Sequence, residues 1–184
     1  MSFTDAGTIK DILFPRSLYG EFVEHCRRKF RAEYQPDEHH ERQAFGLLGG
    51  SLEDGGERIV ISHVFPLVRN MRHSELYADH VTALMEKIGP GSAEFPNCAR
   101  GWVSNPREVL NAERACDGAG SMLFGNYHMH TVSGDRCTPA DRQLGEGNSM
   151  WSFIVSMVDT ERYIVRAYYE GRNEREAVIR FIAG

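Results

Sequence analysis

The sequence predicts an α/β fold: a mixed, mostly antiparallel β-sheet flanked by helices, as a single domain over residues 1–184 with its core at about 17–170. Three observations predict it. Apolar residues recur at helical spacing in some stretches and run or alternate in others, so helices and strands both occur. Their order is helix, hairpin, helices, strand, helix, strands. At 184 residues, with 41% apolar and 26% charged, the chain can bury one core without disulfides.

Residues 17 to about 34 read as the first helix. Leu18, Phe22, Cys26 and Phe30 form an apolar stripe at steps of four, Ser17 is a candidate N-cap, and Pro36 is a stop. Arg27, Arg28, Lys29 and Arg31 cover the other side. In a chain of net charge -5 they read as a solvated face, not a nucleic-acid patch. A polar connection, residues 37–43, leads to Ala44–Gly50, a buried strand with glycines where another backbone or a ligand approaches closely. Asp54-Gly55-Gly56 turns it into a return strand from about Arg58 to Phe65.

Residues 75–88 predict a helix, and residues 89–101 a long irregular loop. Asn105-Pro106 opens a helix running to about Cys116, ended by Gly118 and Gly120. Met122–Thr131 is a strand. After the Ser133-Gly134 turn, Thr138 caps a short helix. Trp151–Val158 and Tyr163–Tyr169 are strands joined by Asp159-Thr160-Glu161, and a strand near Ala177–Ile182 completes the sheet.

Composition narrows the classes of function. An acidic chain, pI near 5.9, is a poor partner for nucleic acid or anionic membranes. No apolar run reaches the length of a membrane span, and Met1–Pro15 lacks the basic start and long apolar stretch of a signal. Cys26, Cys98, Cys116 and Cys137 form no CxxC pair and read as free thiols of a reducing compartment, so the expected location is cytoplasmic. Cys137, beside Thr138, reads either as packing or as part of a site. The oligomeric state is left open.

His128-Met129-His130 places two imidazoles on one face of a strand, where they can grip one metal ion. Asp141 follows eleven residues later. Thr138-Pro139-Ala140-Asp141 also reads as a capping box with proline at the first helical position, and a cap that fixes the carboxylate preorganises it as a ligand. Three protein ligands leave a fourth tetrahedral position for water, which separates a hydrolytic zinc site from a closed structural one.

Gly125-Asn126-Tyr127-His128-Met129-His130, then Thr138-Pro139-Ala140-Asp141, resembles the JAMM motif of the MPN/JAB (Mov34-like) metalloprotease family: His-x-His, seven residues, Ser, two residues, Asp. Phe45-Gly46-Leu47-Leu48-Gly49 is similar to that family's first strand, and the helix from Asn105 to Gly118 matches as well. The resemblance implies a JAB/MPN, cytidine-deaminase-like architecture and a zinc peptidase or isopeptidase. His128, His130 and Asp141 would hold zinc, and Thr138 would take the place of the serine that steadies the tetrahedral intermediate. The implied substrate is a protein or peptide with an extended tail, of ubiquitin-like or sulfur-carrier type, laid along a strand edge.

The chain departs from the family at the general base. The family's glutamate lies three residues before the first-strand glycine, where this chain has Gln43. An amide can hydrogen-bond the water but cannot take its proton, a loss of about 10² to 10⁴ in rate. Glu41, of the same strand parity as Gln43, is the candidate replacement, and Glu38, in the arrangement Pro36-Asp37-Glu38, is the alternative. His39 and His40 read as extra ligands or as a solvated loop pair. The loop from about 89 to 104, with Trp102, reads as a cover for the cleft or as plain surface. Thr131 stands where the family commonly has proline, a difference of turn and not of chemistry.

Two functions follow: a zinc hydrolase, supported by the ligand set, and a non-catalytic or impaired scaffold or binding protein of MPN type, supported by Gln43. A two-histidine, one-carboxylate Fe(II) oxygenase is a weaker match. A zinc deaminase needs His-x-Glu and Pro-Cys-x-x-Cys, and the sequence has neither.

Overall fold

Ile12 and Phe14 alternate with Asp11, Leu13 and Pro15 and are wholly buried, which makes a strand of a segment just ahead of the first helix. The computed structural model describes residues 9–90, 96–159 and 161–184. The first eight residues, the middle of the loop after residue 90 and Thr160 of the expected turn lie outside the described residues.

The elements run β1 (Asp11–Pro15), α1 (Arg16–Phe30), β2 (Phe45–Glu53), β3 (Arg58–Leu67), α2 (Ala78–Ile88), α3 (Pro106–Gly118), β4 (Met122–His130), α4 (Pro139–Gly145), β5 (Trp151–Ser156), β6 (Ile164–Tyr169) and β7 (Glu176–Ile182). The strands close in the order β1-β3-β2-β4-β5-β6-β7, with β1 returning to β7. Pairings of β1 with β3, β1 with β7 and β4 with β5 are parallel, and the other four are antiparallel.

The expected sheet flanked by helices, of JAB/MPN and cytidine-deaminase-like architecture, is corrected by this closure. The fold is a closed seven-stranded mixed barrel with few helices. A core drawn at 17–170 leaves out β1 and β7, the two strands that join its edges. Their parallel pairing spans the length of the chain, so no local turn announces it. Two glycines let the wall form. The ring of Tyr127 lies across Gly46, where a Cβ would overlap it, and at Gly50, beside a register shift, the carbonyl of Val60 occupies the place of a Cβ.

The core lies inside the barrel. Ile12, Phe14, Leu48, Ile59, Ile61, Phe153 and Val155 pack with Phe22 and Cys26 of the α1 stripe. α1 ends at Phe30, not near 34, because Ala32 takes a left-handed backbone (φ 58°), and Pro15, not Ser17, precedes its first residue. Tyr127 and Met129 of β4 belong to this core, so the alternate residues His128 and His130 face outward. That outer face is partly covered by α3, through Ala112 and Val109 on Leu47 and Phe45, and α4 meets it through Asp141.

Candidate metal centre

β4 supplies two imidazoles from one face, and α4 brings a carboxylate to meet them. His128 Nε2 lies 3.0 Å from Asp141 Oδ1, His130 Nε2 lies 3.2 Å from Asp141 Oδ2, and the two Nε2 atoms are 3.1 Å apart. Among the described residues, this is the one group of three or more such side chains whose ligand atoms converge.

Two of the three are held from behind, whereas His128 Nδ1 is buried with no hydrogen-bond partner among the described residues. Thr138 caps α4 through the capping box: its backbone N–H and its hydroxyl both donate to Asp141 Oδ2, at 2.7 and 2.8 Å, and its Oγ1 accepts from the Asp141 N–H at 3.3 Å. Asn173 clamps the preceding residue, accepting from Cys137 N–H and donating to Cys137 O at 2.9 and 3.0 Å. His130 Nδ1 meets the carbonyl of Gly134 at 3.1 Å. A carbonyl only accepts, so Nδ1 carries the proton and neutral His130 presents a bare Nε2 to the cluster.

The donor set fits a divalent metal. A bare Nε2 facing a carboxylate oxygen sets two acceptors against each other, and only a cation, proton or metal, reconciles them. Ligand atoms about 2.0–2.2 Å from a tetrahedral zinc lie about 3.3 Å from each other, close to the separations here. Burial alone would raise the Asp141 carboxyl. Without a metal, a proton on the facing imidazoles of His128 and His130 outweighs burial and holds it well below the ordinary carboxylate range, the cationic part that a metal would otherwise play.

The cluster forms the floor of an open cleft of about 540 Å³. One wall is aromatic: Trp102 stacks on Phe45 at 5.5 Å, and Phe45 lies parallel to His128 at 6.2 Å. Trp102, Arg100 and Gly101 line the cleft, so this end of the loop borders the site. Gln43 lines it too and donates to Ala99 O at 2.7 Å. Phe45 pairs with His128, and Met129 N–H donates to Ala44 O; continuing that register sets Gln43 beside His130.

Neither glutamate proposed as base is brought to the cleft. Glu41 lies in a bend before β2, where strand parity does not apply; it accepts from Asn70 Nδ2 at 3.2 Å and faces His73. Glu38 is buried, and its two oxygens are taken by the Arg28 guanidinium. Burial opposes its charge, yet Arg28 keeps its carboxyl below the usual range. Among the described residues lining the cleft, Asp141 is the only carboxylate. His39 accepts from Asn70 N–H and His40 stacks on Tyr34, both away from the cluster. Cys137 packs against Ile154 and Tyr168 with its thiol pushed up to about 12 by burial, the state of an inert packing residue.

Sequence reasoning missed Gly134, Asn173 and Asn70. The first acts through its carbonyl, which no side-chain pattern reveals. Asn173 lies 36 residues from Cys137, and Asn70, wholly buried, lies 33 residues from Val103, whose N–H it accepts.

No model of a known protein family matches this chain, and no curated protein matches it. Among solved structures, the chain is similar to a protein from Desulfitobacterium hafniense, at 19% identity and a TM-score of 0.59 over 94% of each chain. It is also similar to a protein from Salinibacter ruber (strain DSM 13855), at 17% identity and a TM-score of 0.52 over 91% of this chain and 90% of the other. Both are solution structures from structural genomics, and at such identity the likeness concerns the fold alone. The JAMM resemblance therefore rests on the motif residues themselves.

Proposed function

We propose that this chain is a zinc-dependent hydrolase that cleaves a peptide or isopeptide bond, its motif being of the JAMM type. The observation that carries the reading is the convergence of His128 Nε2, His130 Nε2 and Asp141 on one point at the floor of an open cleft. Zinc bound there would supply a Lewis acid for the scissile carbonyl and bring the pKa of bound water toward about 7.

The residues around it orient and exclude. Gly134 and Thr138 fix His130 and Asp141 before any ion arrives, so little reorganisation is needed on binding. Gln43, with Nε2 committed to Ala99, keeps Oε1 as an acceptor able to orient a water. Thr138 directs its hydroxyl proton to Asp141, and it must turn that proton away to serve as an oxyanion donor. β2, β4 and β5, the strands under the site, are each paired on both sides. An extended tail thus has the cleft itself to lie in, not an open strand edge.

A second reading, a zinc-holding binding protein without turnover, is favoured by Gln43 in the cleft and by the tying of Glu41 and Glu38 elsewhere. Cleavage of a panel of quenched fluorescent peptides and an isopeptide-linked ubiquitin-like tail, by zinc-loaded wild type and Gln43→Glu, separates them. Turnover in the wild type that rises in Gln43→Glu supports the hydrolase. Full zinc with no cleavage by either protein would replace it with the binding reading.

A further inference from the structure

We infer that the cleft takes an amide bearing a carboxylate close to the scissile bond, and that Arg42 and Arg100 receive that carboxylate. The inference deepens the hydrolase reading above and rests on it. Both arginines line the same cleft as His128, His130 and Asp141. Several arginines elsewhere are matched with acids: Arg58 with Asp54, Arg142 with Glu174, Arg166 with Asp135 and Glu176, Arg180 with Asp11. These two are not. Arg42 is exposed and, among the described residues, makes no hydrogen bond or ion pair. Arg100 donates through Nη1 to Gly89 O at 3.0 Å and Asn97 Oδ1 at 2.9 Å, which position the guanidinium without offsetting its charge. The one described carboxylate of the cleft, Asp141, is already engaged by the histidines.

The two cations belong to one rim. The Gln43 side chain donates to Ala99 O, so Arg42, preceding Gln43, and Arg100, following Ala99, flank a single hydrogen bond. The β2–β4 register sets Gln43 beside His130, one residue short of Arg42, which places this rim next to the metal floor. The cleft also presents Val132 and Leu144, apolar and 60% and 47% exposed. A ligand that carries an anion and an apolar group on either part of one amide matches these lining residues. Guanidinium groups bind carboxylates by paired, charge-assisted hydrogen bonds.

The carboxylate has two sources, a chain terminus or an acidic side chain, and three probes tell them apart: acetyl-Leu-Gly, its C-terminal carboxamide, and acetyl-Leu-Asp carboxamide. Affinities for the zinc-loaded chain are measured by calorimetry, beside the zinc content of each sample. The expected result is that one or both carboxylate probes bind about 10- to 100-fold more tightly than acetyl-Leu-Gly carboxamide, the range of a charged hydrogen bond. The preference should shrink in Arg42→Gln, an exposed substitution, and vanish in Arg42→Gln/Arg100→Gln at unchanged zinc content. Acetyl-Leu-Gly preferred marks a terminal carboxylate, and acetyl-Leu-Asp carboxamide a side-chain one. Equal affinities for all three, or a preference that survives the double substitution at full zinc, would overturn the inference and leave the metal site standing. A preference retained by a chain that holds no zinc would uphold the anion site and defeat the hydrolase reading.

Discussion

Asp141 ties the helix cap and the proposed metal site together through one carboxylate. Its Oδ2 receives the Thr138 N–H and hydroxyl that complete the cap, and its two oxygens face the two imidazoles. Thr138→Ala should therefore lower stability by about 1 kcal/mol through the lost cap and weaken zinc binding by about 10- to 100-fold, while Thr138→Ser restores both. Thermal melting and chelator competition check this; unchanged zinc affinity in Thr138→Ala would show that the cap does not position the ligand. Glu41→Gln should leave turnover unchanged, since Glu41 faces Asn70, whereas Gln43→Glu should raise it by about 10² or more in a peptide-cleavage assay. The convergence of His128, His130 and Asp141 was legible because strand parity and the capping box are local rules. The placement of Glu41 was not, because residues 37–43 are fixed by Asn70, Arg28 and the α2–α3 loop, far away in sequence.

At the scale of elements, the end of the α2–α3 loop is held by hydrogen bonds to Asn70, which lies between β3 and α2. Asn70 Oδ1 accepts from Arg72 N–H and Val103 N–H, at 3.1 and 3.0 Å, and its Nδ2 donates to Gly101 O. Asn70→Ala leaves one buried and one half-buried donor unmatched and should cost about 1 to 3 kcal/mol in urea denaturation. A loss below about 0.5 kcal/mol would mean that water replaces the side chain. β1 bears a comparable load: Phe14, wholly buried among Tyr19, Phe22 and Phe153, should cost about 3 to 5 kcal/mol when cut to alanine. Caps and periodicity made α3, α4 and most strands readable from local residues. β1 was not readable, because five residues carry little pattern and their partners Arg58–Val60 and Val178–Ile182 lie far along the chain.

For the whole molecule, closing the barrel buries polar groups beneath β4. His25 Nδ1 meets Tyr127 Oη at 2.7 Å, and Nε2 lies 3.8 Å from Glu38. Burial pushes the imidazole down to about 4, and the attraction of Glu38 does not make up for it. The unfolded value is near 6.5, so the folded state favours neutral His25. Its contribution is complete above pH 6.5 and is lost as the pH falls toward 4, about 3 kcal/mol in all. The difference in stability between wild type and His25→Gln should thus narrow over that window, and a difference flat with pH would refute it. Nothing in the local pattern of α1 marks His25, since its burial arises only when the helix meets the closed wall.

Among the described residues no helix is long and apolar enough to cross a membrane. What the barrel presents outward is the cleft, and the function proposed for it depends first on the ion. The deciding measurement is the metal content of protein purified without added metal, by plasma mass spectrometry, beside His128→Ala/His130→Ala. About one zinc per chain, lost in the double substitution, is the expected result. No metal in either protein, even after dialysis against zinc, would contradict it and leave His128, His130 and Asp141 as an ion-pair cluster under a helix cap.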